Sequence, residues 1–182
     1  TSPLLYPAFD DTDGLFADSV EKRLGYPMVV KEAYGSFGAQ VYLAKNRSEL
    51  DALRNRLKYM PHLYQRYVKN SSGEDIRIIV VGGKAVAAMK RKNNGDFRAN
   101  IELGGVGEKY IPSSEQVELS ERICRLLGAD YIGVDLLFDK DKTLLCEVNT
   151  NAHFMFISDC TGVDVAKLYA GHVMEEIYGR AD

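Results

Sequence analysis

Apolar residues recur at helical spacing in four segments of the chain. Side chains three or four positions apart predict amphipathic helices over residues 14–24, 48–59, 115–127 and 163–178. Ser48 has the position of an N-cap and is followed by an acidic residue in the first turn. Gly128 directly follows the third segment, and glycine commonly ends a helix. The pattern therefore predicts four helices with defined ends.

Short apolar runs between these helices predict strands. They are bounded by turn residues and lie at residues 28–31, 41–43, 63–68, 76–81, 85–91, 131–138 and 143–149. Gly82-Gly83 predicts a tight hairpin, and the polar run 139–142 predicts a second one. We expect a smaller first lobe and a larger second lobe, which meet near residues 63–68.

Composition is typical of a soluble globular protein. The chain has 182 residues, of which 46% are hydrophobic and 27% charged, and its net charge is −3. This charge argues against a nucleic-acid-binding surface. No apolar run has the length of a membrane span, and no signal peptide is evident. We expect a cytoplasmic protein without a nucleic-acid or membrane partner.

Three cysteines, Cys124, Cys146 and Cys160, lack the spacing of a metal site. Their odd number and apolar neighbours predict buried thiols in a reducing compartment. The chain opens abruptly with a run, residues 1–7, that resembles a linker, so we expect a fragment of a longer protein.

The last predicted hairpin carries candidate metal ligands. Residues two apart share one face of a strand, so Glu147 and Asn149 point the same way. If the two strands pair, Asp135 can join them in an anionic, all-oxygen pocket of the kind that Mg²⁺ occupies beside substrate phosphates. The alternative is an ordinary hairpin with a polar face.

A second candidate site follows the first predicted strand. Lys31 ends that strand and precedes a loop with Gly35, Ser36 and Gly38. A lysine can bind a phosphate as a point charge, and glycines let backbone N–H groups approach phosphate oxygens. The order differs from a P-loop, in which the lysine follows the glycines. The alternative is a hairpin with a surface lysine.

Further polar residues have roles that the pattern alone leaves open. Gln65 and the backbone of residues 66–68 could contact a purine edge, or they could form a half-exposed strand. Asp75 could accept hydrogen bonds from ribose hydroxyls, and Arg77 shares its strand face. Arg98 could stabilise charge on a phosphoryl or acyl group, or it could lie in a solvated basic loop.

The ordered series of these segments resembles the RimK-like α-L-glutamate ligases of the ATP-grasp superfamily. It covers nearly the whole chain, and the order is more specific than any one motif. The matching segments are Val29–Lys31, Gly35–Gly38, Gln65–Val68, Gly73–Arg77, Val80–Gly82, Val86–Met89, Gly95–Asn100, Gly104–Gly105, Gly133–Leu137, Glu147–Asn149 and Thr161–Asp164.

The resemblance implies an α+β ATP-grasp fold with two lobes, each a mainly antiparallel sheet with helices, and a nucleotide cleft between them. Residues 1–64 would be the smaller lobe with the glycine-rich phosphate loop. Residues 65–182 would be the larger lobe with the metal site. The N-terminal domain of the family is expected to lie outside this sequence.

The resemblance also implies roles for single residues. The ATP phosphates would contact Lys31, Gly35, Ser36 and Gly38, and adenine would contact Gln65, Arg66, Tyr67 and Val68. Asp75 would bind the ribose, Mg²⁺ (or Mn²⁺) would bind Asp135, Glu147 and Asn149, and the catalytic pair would be Arg98 and Asn100.

The implied reaction is ATP-dependent, ADP-forming ligation of a carboxylate to an amino-acid or peptide amine through an acylphosphate. A nucleotide-binding regulatory module without turnover and a ligase of the D-alanine–D-alanine ligase type are alternatives. The state of assembly stays open, and a homo-oligomer is compatible with the sequence.

Two segments depart from the family pattern. Glu102-Leu-Gly104-Gly105 stands where Arg-Gly-Gly is usual, and residues 150–154 replace a small proline-containing turn. Both border the expected acceptor side. They put the glutamate-ligase substrate in doubt, and we expect this chain alone to bind nucleotide but to ligate poorly.

Overall fold

In the computed structural model, which describes residues 4–5 and 14–179, the chain divides after Lys69 into two units, Thr1–Lys69 and Asn70–Asp182. The division lies beyond the expected boundary at residues 64/65. The reason is that strand His62–Arg66 pairs within the sheet of the first unit, so Gln65 belongs to that sheet.

The described residues of the first unit form a four-stranded antiparallel sheet and two helices. The elements are β1 (Leu4–Leu5), α1 (Leu15–Leu24), β2 (Met28–Glu32), β3 (Val41–Ala44), α2 (Arg47–Arg56) and β4 (His62–Arg66). The strand order of the sheet is β1-β4-β2-β3.

One face of this sheet packs against both helices. Alternate residues of β2, Met28 and Val30, are buried together with Val20 of α1 and with Leu50 of α2. Tyr64, the cross-strand partner of Val30, completes this core. Since neighbouring strand residues point to opposite faces, Val29 and Lys31 lie on the face away from the helices.

The cap of α2 differs from the prediction. Asn46, two positions before Ser48, has extended backbone geometry, and its side chain accepts a hydrogen bond from the Glu49 N–H at 3.0 Å. The Glu49 carboxylate accepts in turn from the Lys45 N–H. Asparagine and serine cap almost equally well, so the path of the chain leaving β3 decides which one takes the position.

Up to residue 179, the second unit contains a five-stranded antiparallel sheet and three helices. Its elements are β5 (Glu74–Val81), β6 (Lys84–Lys92), β7 (Val106–Lys109), α3 (Ser114–Leu127), β8 (Tyr131–Asp139), β9 (Lys142–Asn149), α4 (Met155–Thr161) and α5 (Val165–Tyr178). The strand order is β7-β6-β5-β8-β9. Short 3₁₀ turns lie at Lys69–Ser71 and Ile101–Leu103. The α+β class, with a mainly antiparallel sheet in each unit, is therefore confirmed.

Apolar cores lie on both faces of this second sheet. On one face, Ile78 and Val134 pack with Cys124 of α3. On the other, Ile79 and Met89 pack with Ile157 of α4 and with Val165 at the start of α5. Helix α4 was not predicted, because its seven residues are too short for a clear helical period.

Two β-bulges interrupt the regular pairing. Between β5 and β6, Val80 lies opposite Ala85 but Ile79 lies opposite Ala87, which leaves Val86 as the extra residue. Between β8 and β9, Leu136 lies opposite Leu145 but Asp135 lies opposite Glu147, which leaves Cys146 extra. A bulge shifts the partner of every residue beyond it by one position.

The glycine turns and the thiols follow simpler rules. Gly82 and Gly83 both have positive φ, as a two-residue hairpin of type I′ requires, and Gly128 ends α3 in the left-handed region. All three cysteines are free, but only Cys124 is fully buried. Across the described ranges, no helix combines the length and apolarity that crossing a membrane would require.

The N-cap of α2 can be tested directly. We expect Asn46→Ala to lower the free energy of unfolding by about 1 kcal/mol, because it removes the acceptor for the Glu49 N–H. Ser48→Ala, an exposed position inside the same helix, should change it by less than about 0.5 kcal/mol. Urea unfolding of both variants measures the difference, and equal losses would contradict the assignment.

Candidate functional site

The predicted site residues divide between the two units. The first unit carries Lys31, Gly35, Ser36, Gly38, Gln65, Arg66, Tyr67 and Val68. The second unit carries Asp75, Arg98, Asn100, Asp135, Glu147 and Asn149. The cleft expected between the units stays a prediction.

In the first unit, Lys31 and Gln65 share the sheet face that points away from α1 and α2. Gln65 is the cross-strand partner of Val29, and Leu63, two residues before it, is the partner of Lys31. Directly opposite residues of an antiparallel pair share a face. An ammonium group and an amide side chain therefore project from the same surface, although they are 34 positions apart in sequence (65 − 31).

The side chains at residues 65–68, where β4 ends, differ in exposure. Gln65 and Val68 are buried, Tyr67 is half-buried and Arg66 is exposed. β4 ends at Arg66, which still pairs with Met28, so the backbone of residues 67 and 68 lies beyond the regular ladder.

The glycine-rich loop between β2 and β3 closes on its own backbone. The Ala39 N–H donates to the Ser36 carbonyl, and the Ser36 N–H donates to Gln40 Oε1 at 3.2 Å. Gly38 has φ 74°, a left-handed conformation that suits glycine. A Cβ atom on Gly35 would lie 2.7 Å from Gln40 Oε1, so a larger residue there would have to displace the Gln40 side chain.

In the second unit, a chain of buried ion pairs lies on the sheet face that carries α4. Asp135 is 3% exposed, and Arg77, its cross-strand partner, donates to both of its carboxylate oxygens at 2.7 Å. Arg91 Nη2 lies 3.0 Å from Asp135 Oδ2. Two guanidinium groups therefore hold one carboxylate.

Arg91 also binds Asp75, its own cross-strand partner. Its Nε and Nη2 donate to the two oxygens of Asp75 at 2.6 Å each. The charges alternate from Asp75 through Arg91 and Asp135 to Arg77. A buried charge is tolerated when it is paired in this way.

The electrostatics of the two carboxylates differ. Burial raises the pKa of Asp135, but the charges of Arg91 and Arg77 outweigh that effect and hold it below its ordinary value. Burial raises the pKa of Asp75 above its ordinary value in spite of Arg91, and the nearby charge of Asp135 adds to the rise. Asp135 is thus the more firmly ionised of the pair.

Glu147 lies directly opposite Asp135 on β9, and Asn149 follows it on the same face. Glu147 is exposed, and Asn149 Nδ2 donates to its Oε1 at 3.2 Å. Within residues 4–5 and 14–179, no cluster of three or more His, Cys, Asp or Glu side chains has metal-binding geometry. The predicted metal ligands are two carboxylates and an amide. One of these carboxylates, Asp135, is already paired with Arg77 and Arg91.

The segment after β6 is held by its own hydrogen bonds. The Arg98 guanidinium donates to both Asp96 oxygens, at 2.9 and 2.6 Å, and this contact lowers the pKa of Asp96. The Asn100 carbonyl accepts from the N–H of Gly105. A Cβ on Gly105 would lie 2.5 Å from the Ala99 carbonyl oxygen, so the turn at Asn100 depends on that glycine.

A polar groove of about 380 Å³ lies beside this segment. Its walls are Ser72, Glu74 and residues 92–97. Glu74 forms ion pairs with Lys90 and Lys92, at 2.8 and 3.2 Å. Positions 74, 90 and 92 alternate with 75, 89 and 91, so these charges belong to the opposite sheet face from Asp135.

The segment after Asn149 is anchored over Gly133. A Cβ on Gly133 would lie 2.5 Å from the Cβ of Ala152, and the Tyr131 hydroxyl donates to the Ala152 carbonyl at 2.6 Å. Burial raises the pKa of Tyr131 to about 12, so its hydroxyl keeps its proton. The stretch that departs from the family pattern is thus fixed to the same face as Asp135.

Two site-lining residues were not identified as such from sequence. Arg77 was noted only because it shares a face with Asp75, and Arg91 was assigned to a basic strand. The available signal was strand pairing, since an acidic residue on a buried strand face needs a cation opposite it. Regular pairing from the Gly82-Gly83 turn would have placed Lys90 opposite Asp75, so the bulge concealed Arg91.

Comparison with known proteins places these features in a family. The model of the RimK-like ATP-grasp domain matches residues 9–173. Beta-citrylglutamate synthase B of Danio rerio is 38% identical over 160 residues, which cover 86% of this chain and 40% of that protein. N-acetylaspartylglutamate synthase A of Homo sapiens is 36% identical over 160 residues, which cover 86% of this chain and 41% of that protein.

Solved structures show the same fold. The ATP-grasp ligase PsnB, complexed with minimal precursor, Mg and ADP, superposes with a TM-score of 0.71 at 22% identity, over 95% of this chain and 53% of PsnB. The fold is thus the ATP-grasp fold. The chain spans about two-fifths of the length of the two curated relatives described above.

The ion-pair chain predicts a contrast between two neighbouring acids. Asp135→Asn should lower the free energy of unfolding by roughly 3–5 kcal/mol, because it leaves the half-buried Arg77 and the buried Arg91 without that carboxylate. Glu147→Gln, exposed on the next strand, should change it by less than about 0.5 kcal/mol. Chemical unfolding of both variants measures the contrast, and similar stabilities would show that the buried pairing contributes little.

Proposed function

Because the chain belongs to the RimK-like ATP-grasp domain family, we propose that it forms the nucleotide-binding and catalytic part of an ATP-dependent carboxylate–amine ligase. The observation that carries the proposal is the row of oxygen donors on the second sheet. Glu147 lies directly opposite Asp135, and Asn149 extends from the same face. Carboxylate and amide oxygens suit Mg²⁺ that is shared with substrate phosphates.

The proposed reaction has two steps. A substrate carboxylate oxygen attacks the γ-phosphorus of ATP, the bond to the β–γ bridging oxygen breaks, and ADP leaves. An amine then attacks the carbonyl carbon of the acylphosphate, loses a proton, and phosphate leaves as the amide forms. This chemistry requires positioning and charge stabilisation and needs no nucleophilic side chain from the protein.

In the first unit, we assign the phosphate contacts to Lys31 and to the loop with Gly35, Ser36 and Gly38. We assign adenine to Gln65 and to residues 66–68. The shared sheet face of Lys31 and Gln65 supports this, because one nucleotide must reach both. The Ser36 N–H now donates to Gln40 Oε1, so a phosphate oxygen would replace that side chain as acceptor.

In the second unit, Glu147 and Asn149 are accessible donors for Mg²⁺ (or Mn²⁺), and Asp135 is the third. When bound, the cation would neutralise charge on the ATP phosphates. Asp135 Oδ1 accepts one hydrogen bond, from Arg77 Nε, so it retains a lone pair. Oxygen donors in this arrangement fit a hard cation.

Arg98, Asn100 and Asp75 complete the proposal. Arg98 would stabilise negative charge on the transferring phosphoryl group, with Asp96 holding the guanidinium in place. Asn100 would contact the acyl intermediate, and Asp75 would contact the ribose.

The substrates would be a small-molecule or peptide carboxylate and an amino-acid or peptide amine. The word glutamate in the names of both curated relatives makes glutamate the first amine to test.

A second candidate, nucleotide binding without turnover, has one observation in its favour. Both oxygens of Asp135 are already held by Arg77, and Arg91 adds a further contact. Such a site would bind a nucleotide but would assemble its metal set incompletely. Nucleotide binding without ADP release would favour this candidate.

The metal role of Glu147 predicts a selective loss. We expect Mg²⁺ to tighten ADP binding to the chain, and Glu147→Gln to remove most of that effect without a loss of stability. Glu108→Gln, the same change on exposed strand β7, is the matched control. Calorimetric titration with ADP, with Mg²⁺ or EDTA, measures this, and ADP release with glutamate and carboxylate acceptors tests turnover. Mg²⁺-dependent binding that survives Glu147→Gln would overturn the metal assignment.

The phosphate role of Lys31 predicts a loss of affinity. Lys31→Ala should weaken ATP binding by roughly 1.5–3 kcal/mol, the value of one charge-assisted contact. Lys45→Ala, which removes an exposed lysine just after β3 in the same unit, should leave the affinity unchanged. Unchanged affinity in Lys31→Ala, measured by the same titration, would rule out the phosphate contact.

A further inference from the structure

We infer that Arg91 is a positioning residue that couples nucleotide binding at Asp75 to metal binding at Asp135. The inference rests on the proposed function and extends it to a residue without a direct ligand contact. Its basis is that one buried guanidinium group touches both carboxylates.

Arg91 contacts two carboxylates, and its contact with Asp75 is the closer one. The side chain is 3% exposed, and it binds Asp75 through two parallel hydrogen bonds of 2.6 Å. The same Nη2 that donates to Asp75 Oδ2 lies 3.0 Å from Asp135 Oδ2. A planar guanidinium cannot turn toward one of these carboxylates without moving relative to the other.

Arg91 also determines which oxygen of Asp135 remains available. An ionised carboxylate has about four acceptor positions. Arg77 uses one on each oxygen, and Arg91 uses a second on Oδ2. The remaining position is on Oδ1, so the pair of arginines orients Asp135 to offer that atom to a cation.

A purely structural role explains these contacts less well. Buried ion pairs often contribute little net stability compared with apolar residues of similar size. The neighbouring lysines, Lys90 and Lys92, pair with Glu74 instead, on the opposite sheet face. The charge of Arg91 is therefore directed specifically at the two carboxylates of the candidate site.

The coupling is expected to act in both directions. A ribose that takes up acceptor positions of Asp75 changes the hold of Arg91 on that carboxylate, and hence on Asp135. A cation at Asp135 changes the same guanidinium from the other side. Linked sites of this kind affect each other by the same factor, commonly 5- to 150-fold.

The test uses Arg91→Lys in the full 182-residue chain. The probe is ADP, and the readout is the ratio of its dissociation constants in EDTA and in saturating Mg²⁺. We expect the ratio to fall at least about fivefold, because a lysine keeps the charge but cannot form the two parallel hydrogen bonds that fix the guanidinium against Asp75 while it contacts Asp135. Lys90→Arg exchanges the same residue types at the adjacent position on the opposite face and should leave the ratio unchanged.

A second variant, Asp75→Asn, keeps the test decisive if Arg91→Lys does not fold. The amide introduced by this substitution would not touch the metal, yet the ratio should again fall, since Arg91 would shift toward Asp135.

A merely structural role would lower the melting temperature and leave the ratio unaltered. A ratio within about twofold of wild type in a folded variant overturns the inference while the proposed function stands. A wild-type ratio of one overturns the metal part of the proposed function itself.

Discussion

The buried ion pairs on the second sheet constrain everything around them. Asp135 and Arg91 are each 3% exposed, and each is tolerated there only because the other, with Arg77 and Asp75, neutralises it. This divides one sheet face in two. Towards Tyr131 it is apolar and is covered by α4 and α5. Towards Asp75 it is charged, and the candidate ligand residues project from that part.

The first unit also keeps its apolar core apart from its candidate ligand residues, but it does so on two separate sheet faces. One face of its sheet is apolar and packs on both helices, which leaves the other face for Lys31 and Gln65. In this first sheet, the period of two along the strands therefore separates the apolar core from the candidate ligand residues. In the second sheet both faces carry an apolar core, and the candidate ligand residues share one of those faces with α4 and α5.

Family membership and geometry support different parts of the functional account. Membership supports the reaction class, whereas the geometry supports which side chains could share one ligand. The chain matches about two-fifths of the length of these two curated relatives. In the second unit, the segment around Ala152 departs from the family pattern. It is anchored over Gly133, on the same sheet face as Asp135.

The sequence by itself determined the α+β class, both hairpins and the close bounds of three of the four predicted helices, because these depend on local periods and turn residues. It also determined the family, because the order of the motifs is specific. It did not determine the cap of α2, where Asn46 took the place expected for Ser48. Nor did it determine which residues face each other across the second sheet. Regular pairing would set Asp135 opposite Cys146, and Asp75 opposite Lys90. One extra residue in each of β9 and β6 instead sets Asp135 opposite Glu147 and Asp75 opposite Arg91. The tertiary structure decided this, because a bulge forms where packing on both faces of the sheet and pairing of buried charges favour a shifted register, and no local pattern in either strand records that balance.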